Sequence, residues 1–431
     1  MARVAGADHE YTELSSGVRI VTEALPSVRS AAIGIFIGTG SRAEQVQQAG
    51  LSHLLEHLIF KGTSSHTSLE IDQIFDGMGA ELNAATGKES TVVLSRVLDR
   101  HIPRAFEVMA DMVWRPAFEE VDAERQVVLE EIAMYEDDPQ DRVFEVLGHA
   151  VFGDDPLGRP IIGLASVIAD TPLEEIREFH RSRYVPANVV VAAAGSVDHE
   201  EIVKLVQATL PSSYEPRLEP DEIAAVIFEQ RSCFETKETE QYHVCLGGLG
   251  IARDDERRFA LRVLDNIFGG TSSSHLFQEI RERRGLAYSV QSFASHYAGV
   301  GQVGLYLGTR PENLVEAMSI IGQELDRLAN TPATTDELDR SRENVKGRLV
   351  LSMESTSMRM NRLGASYLSH MPVLSVDEVI ERIDAVTLDD LTELSHELFG
   401  VERLSAAGVG GDIEHFRTAL AGVSPQLAAA T

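Results

Sequence analysis

Basic residues are scarce in this chain. Only 38 lysines and arginines face 68 aspartates and glutamates among 431 residues, a formal charge of −30. A surface of that sign repels phosphate backbones, which argues against nucleic-acid binding and suits basic partners such as Lys/Arg-rich peptides. Cysteine is rarer still. Cys233 and Cys245 cannot build a disulfide framework and do not have the spacing of a zinc site. Apolar runs such as VVVAAAG at 189–195 are far too short to cross a bilayer. The opening MARVAGADHEYTELSSG has no apolar stretch of the kind a signal peptide carries. These absences leave a cytoplasmic enzyme with no membrane span as the expectation.

What is present is ordinary for a folded chain, with 43% hydrophobic and 25% charged residues. The length exceeds a single core and predicts two domains. Period-two and apolar runs predict strands at 17–24, 30–40 and 188–197, and a hairpin of AELNAAT and STVVLSRV around Gly87-Lys88-Glu89. Helical spacing predicts helices near 48–60, 68–79, 100–113, 118–137, 140–151 and 173–182. PSSYEPRLEPDE at 211–222 has three prolines and no periodicity and is the linker candidate. The pattern then restarts. RLSAAGVGGDIEHFRTAL near the end echoes NVVVAAAGSVDHEEIVKLV: strand, glycine turn with an acidic cap, helix. The fold expected is a duplicated α+β unit, with domains at 1–210 and 223–431.

One short stretch departs from this plain pattern. LSHLLEHLIF, residues 51–60, sets His53, Glu56 and His57 in an otherwise apolar helical run. Residues i and i+4 share a helix face, so both imidazoles can point at one ion. Zinc takes such nitrogen ligands, and Glu56 beside them could reach an attacking water. A buried histidine is often only hydrogen-bonded. Three polar side chains along an apolar run, however, cost free energy unless satisfied, and a metal satisfies them together. The second half of the chain has no counterpart to this trio. A third ligand is needed, and FEEVDAERQVVLEEIAMYEDD at 118–138 offers Glu124, Glu130 and Glu131. Glu124 and Glu131 share a face two turns apart, and Glu130 points about 100° away from Glu131. Periodicity does not choose among the three.

H-x-x-E-H is the inverted zincin motif. HLLEH at 53–57 followed by ERQVVLEE at 124–131 resembles the pitrilysin and mitochondrial processing peptidase family of zinc metallopeptidases. The resemblance implies Glu131 as third ligand and Glu124 as a supporting acid. GAELNAATGKEST resembles the family's substrate-binding edge strand, which would make Asn83 and Ala84 peptide-binding positions. GGTSSSHLFQEIRERRGLAYSV resembles its C-terminal signature, which would bring Arg281 and Tyr288 to the reaction. The chain departs from the family pattern at Ala80, often glycine, and in GDDPLG at 153–158, where a histidine often precedes Pro-Leu-Gly. Both bear on subfamily alone. FGGTSS at 268–273 lacks the lysine and spacing of a phosphate loop and reads as a turn capping a helix.

The resemblance further implies two homologous domains, each a mostly antiparallel sheet flanked by helices, closing as a clamshell around an extended peptide. It implies one Zn2+ per chain on His53, His57 and Glu131, Glu56 as general base, and Arg281 and Tyr288 on the oxyanion. Because this chain carries every one of these motifs, a homodimer without a different partner subunit is expected. The competing expectation is a non-catalytic scaffold or assembly subunit of the same fold.

Overall fold

The computed structural model describes residues 9–211, 213, 223–331 and 333–430. The expected linker at 211–222 therefore lies, except for Pro211 and Ser213, outside the described residues. Close packing divides the chain into two units. One comprises Met1–Ile132, Pro160–Glu222 and Val350–Ser375; the other comprises Ala133–Arg159, Ile223–Leu349 and Val376–Thr431. The expected domains follow sequence order, whereas these units interleave.

The first unit holds strands β1 (Glu10–Glu13), β2 (Arg19–Ala24), β3 (Ser30–Ile37), β4 (Glu81–Thr86), β5 (Thr91–Leu98) and β6 (Val189–Gly195), in the order β1-β2-β6-β3-β5-β4. β2 and β6 run parallel; the other pairs are antiparallel. The second unit holds β7 (Ser232–Thr236), β8 (Tyr242–Gly250), β9 (Ala287–His296), β10 (Gly301–Thr309) and β11 (Ser405–Gly410), in the order β7-β11-β8-β10-β9. Here β7 and β11 are the parallel pair and the rest antiparallel. Setting β1 aside, the two strand orders are the same, including the place of the parallel pair. Cys233 and Cys245 both lie in register with Ala407 on the strand between them. That puts them two strand spacings apart, roughly 9–10 Å, beyond disulfide reach.

In the first unit, helices α1 (Leu51–Leu58), α2 (Ser68–Met78), α3 (Ile102–Trp114) and the start of α4 (Val121–Asp137) share one apolar core with the sheet. α2 stops at Gly79, which adopts the left-handed φ of 61° expected of a terminating glycine. The opposite sheet face is also apolar, because β6 reads VVVAAAG and is buried along its whole length. A fully buried strand needs cover on both faces. The second cover comes from far along the chain. Next after α5 (Pro139–Phe152) come α6 (Ala165–Asp170), α7 (Leu173–Arg183) and α8 (His199–Thr209), then α9 (Arg258–Phe268), α10 (Pro311–Asn330), α11 (Thr335–Ser352) and α12 (Thr356–Leu368). It is α12 that sets Met360 and Leu363 against Val21, Phe36, Val190 and Ala192. Gly364 permits this approach, since a Cβ there would meet the Phe36 ring at 2.2 Å. Arg359 pairs with the buried Glu23 of β2. In the second unit α5 plays the equivalent part, placing Val143, Leu147 and Val151 against Cys245, Tyr306 and Ala407. The other face there packs on α9, α10 and the later helices Leu388–Phe399 and Ile413–Ala421. FGGTSS is the turn that ends α9, with Gly269 as its cap.

His180 of α7 is buried, and its Nε2–H donates to the Val113 carbonyl at 2.8 Å. Burial pushes its pKa down to about 4, against about 6.5 for a free histidine. Between those values the unfolded chain takes a proton that the folded chain refuses. Stability is therefore fully retained above pH about 6.5 and falls as pH drops toward 4, by up to about 3 kcal/mol from this group. Urea denaturation at pH 7 and pH 4.5 should show His180→Gln losing less stability on acidification than wild type. Equal losses would remove His180 as the cause.

Candidate metal centre

α1 buries Leu51, Leu54, Leu55 and Leu58, the i, i+3, i+4, i+7 stripe of an amphipathic helix, and leaves His53, Glu56 and His57 half-buried on the other side. Its start is fixed by Glu44, a buried carboxylate. Oε2 accepts from the Gly50 amide at 2.8 Å and Oε1 from the Ser52 amide at 2.7 Å. These charge-assisted bonds satisfy N–H groups that the helix itself leaves open. Gly50 enters the helix at φ 102°, and a Cβ there would lie 2.8 Å from the Gly163 Cα. That position is closed to any side chain, so α1 is held by its backbone as well as by its leucines.

α4 starts after two left-handed residues, Phe118 and Glu120. It buries Val121, Glu124, Arg125, Val128 and Ile132. Arg125 ties it to the end of α6 through the carbonyls of Ile168 and Thr171. The helix therefore presents Glu124 and Glu131, two turns apart, to α1.

The ligand atoms of His53, His57 and Glu131 lie within 4.8 Å of one another, the only such group of three found among the described residues. Glu131 Oε2 is 3.3 Å from His57 Nε2 and 3.7 Å from His53 Nε2. Ligands at zinc bond lengths of about 2.0–2.1 Å in tetrahedral array are separated by roughly 3.4 Å, so these two spacings fit a zinc ion. Burial lowers the His53 pKa against the opposing charge of Glu131, which favours the neutral imidazole that a metal needs. His57 Nδ1–H donates to Glu124 Oε2 at 3.3 Å, turning its Nε2 toward His53 and Glu131. The donor set, two imidazoles and a carboxylate with one imidazole braced by a second carboxylate, suits a catalytic zinc.

Of the three acids that periodicity leaves open, Glu131 joins the histidines, Glu124 sits behind His57, and Glu130 is exposed to solvent. Glu56 is close enough for its charge to act on the His53 imidazole, yet it is not one of the converging three. A residue that the motif reading omits also belongs here. Lys61 Nζ lies 2.8 Å from Glu124 Oε1. The signal for it is its spacing of four after His57.

β4 is an edge strand, paired only with β5, and Thr86 Oγ1 reaches the Ser52 carbonyl of α1 at 3.5 Å. Asn83 is exposed and Ala84 buried. The Ala84 amide donates to the Asn83 side-chain oxygen at 2.9 Å. Arg281 and Tyr288 lie together in the second unit, on a π-helical turn at Phe277–Glu282 and on edge strand β9. The guanidinium stacks 4.3 Å from the Tyr288 ring centroid and donates to the Tyr288 carbonyl at 3.2 Å. Tyr288 is 78% exposed, an unusual state for a tyrosine held in a strand.

Known proteins share this arrangement of sequence. A family model described as Insulinase (Peptidase family M16) matches residues 19–164, and one described as Peptidase M16 inactive domain matches residues 171–345. An uncharacterised zinc protease of Streptomyces coelicolor is 44% identical over 90% of this chain and 87% of its own length. Another from Bacillus subtilis is 40% identical over 89% of this chain and 94% of its own. Among solved structures, a protease from Helicobacter pylori has a TM-score of 0.88 at 22% identity, covering 93% of this chain and 99% of that one. The peptidase M16 inactive domain from Pseudomonas fluorescens has a TM-score of 0.87 at 21% identity, covering 94% and 99%.

Proposed function

Because this chain belongs to the M16 peptidase family, we propose that it is an active zinc metalloendopeptidase acting on unfolded or short peptides. The observation that carries the reading is the convergence of His53, His57 and Glu131, with all three ligands intact. Zinc held there, one per chain, supplies Lewis acidity to the attacking water and the scissile carbonyl. Glu56 takes the proton of the water and delivers it to the leaving amine. The substrate lies extended along β4 at Asn83 and Ala84, and this requires a backbone free of other pairing. Folded proteins are then poor substrates. Arg281 and Tyr288 are assigned to the oxyanion on the family resemblance. The charge of −30 favours basic, presequence-like peptides. One chain carries both the ligand set and the Arg281–Tyr288 pair, which supports a chain that needs no different subunit; a cytoplasmic homodimer is part of the same proposal.

The alternative, a scaffold subunit, would leave the ligand set without a task. Incubating the purified chain with a mixed peptide library separates the two. Cleavage should occur, stop on removal of metal by a chelator and return on adding zinc, with cuts enriched beside Lys and Arg. No cleavage by the zinc-loaded chain would favour the scaffold.

A further inference from the structure

We propose that Lys61 is a positioning residue for the metal centre, acting through Glu124 on His57; this rests on the zinc-peptidase reading above. Lys61 follows His57 by four residues, as His57 follows His53. Its amide bonds to the Leu58 carbonyl at 3.1 Å, so the chain is still turning as α1 ends. Successive positions of one face are thus His53, His57 and Lys61. They meet Glu131 and Glu124, which share a face of α4. His53 and His57 lie against Glu131, and His57 and Lys61 against Glu124.

The two oxygens of Glu124 have separate tasks. Oε1 takes the Lys61 ammonium at 2.8 Å, and Oε2 takes the His57 Nδ1–H at 3.3 Å. The Glu124 side chain is only 5% exposed. A carboxylate so buried is costly unless its charge is compensated, and an imidazole N–H alone compensates little. With Lys61 holding Oε1, the carboxylate is fixed with Oε2 directed at Nδ1. A proton on Nδ1 leaves the Nε2 lone pair free, directed at the position shared with His53 and Glu131. Lys61 touches neither the ligand atoms nor the reacting groups. Its effect is to keep Glu124 seated, and through it the tautomer and angle of His57.

The test is zinc affinity of the full chain, measured by competition with a chromophoric chelator, alongside thermal melting of the metal-free forms. K61M should weaken zinc binding about 10–100-fold, the range for partners that orient a ligand. K61R, which keeps the charge, should recover most of that loss. Since a buried glutamate without its counter-charge could disturb folding, the decisive comparison is made in a Glu124→Gln background, where no charge needs compensation. There, adding K61M should change zinc affinity by less than about 2-fold, because the Lys61 effect passes through the Glu124 charge. Equal losses in both backgrounds, or wild-type affinity in K61M, overturn the proposal and leave the zinc reading standing. A wild-type chain that binds no zinc overturns both.

Discussion

Glu56→Gln should lower kcat/KM for peptide cleavage by about 10²–10⁴-fold, the share supplied by a positioned general base, while zinc content stays at that of wild type. The substitution keeps the length and planarity of the side chain and removes only its ability to take a proton. Glu56 is half-buried on α1, on the side away from the leucine stripe, and is not one of the three side chains that converge. Neither the helix nor the metal should register the change. Activity and elemental zinc analysis must be read together. Full zinc with lost activity supports the base assignment. Zinc lost along with activity would make Glu56 a ligand or a structural residue. Zinc and activity both retained would assign the proton transfer elsewhere.

The second large effect concerns two neighbouring glutamates. Glu131→Gln should weaken zinc binding by more than the roughly 10–100-fold typical of outer partners, because it exchanges an anionic ligand for a neutral amide. Glu130→Gln should leave affinity and activity at wild-type levels. The contrast follows from placement: Glu131 Oε2 lies 3.3 Å from His57 Nε2, whereas Glu130 is solvent-exposed on the adjoining face of α4. Both positions lie off the core, so metal-free melting temperatures should match wild type for both variants. Zinc lost in Glu130→Gln and kept in Glu131→Gln would reverse the ligand choice.

How far this could be read from the residues alone varies along the chain. His53, Glu56 and His57 were legible because one helix carries them, and helical geometry converts spacing directly into direction. Choosing Glu131 over Glu124 and Glu130 was a different matter. Periodicity puts Glu124 and Glu131 on the same face, and only the docking of α4 against α1 places one beside His53 and His57 Nε2 and the other at His57 Nδ1. Family resemblance, not spacing, named Glu131. Lys61 went unread because it lies past the apolar run that marks the helix, although the interval of four was there. The repeat of strand order was legible in part, through the echo of 188–206 in 403–420. The destination of α12 was not: local pattern reports which face of a helix is apolar but not which distant sheet will receive it.

That last placement has a consequence for synthesis. β6 is complete at residue 195, yet the helix that covers its second face begins at Thr356. A ribosome-bound chain therefore exposes one apolar side of its first sheet until synthesis has passed residue 356. The nascent protein must be shielded from aggregation while residues 196 to 356 are being added, and the three converging side chains are in hand long before the unit that holds them can close.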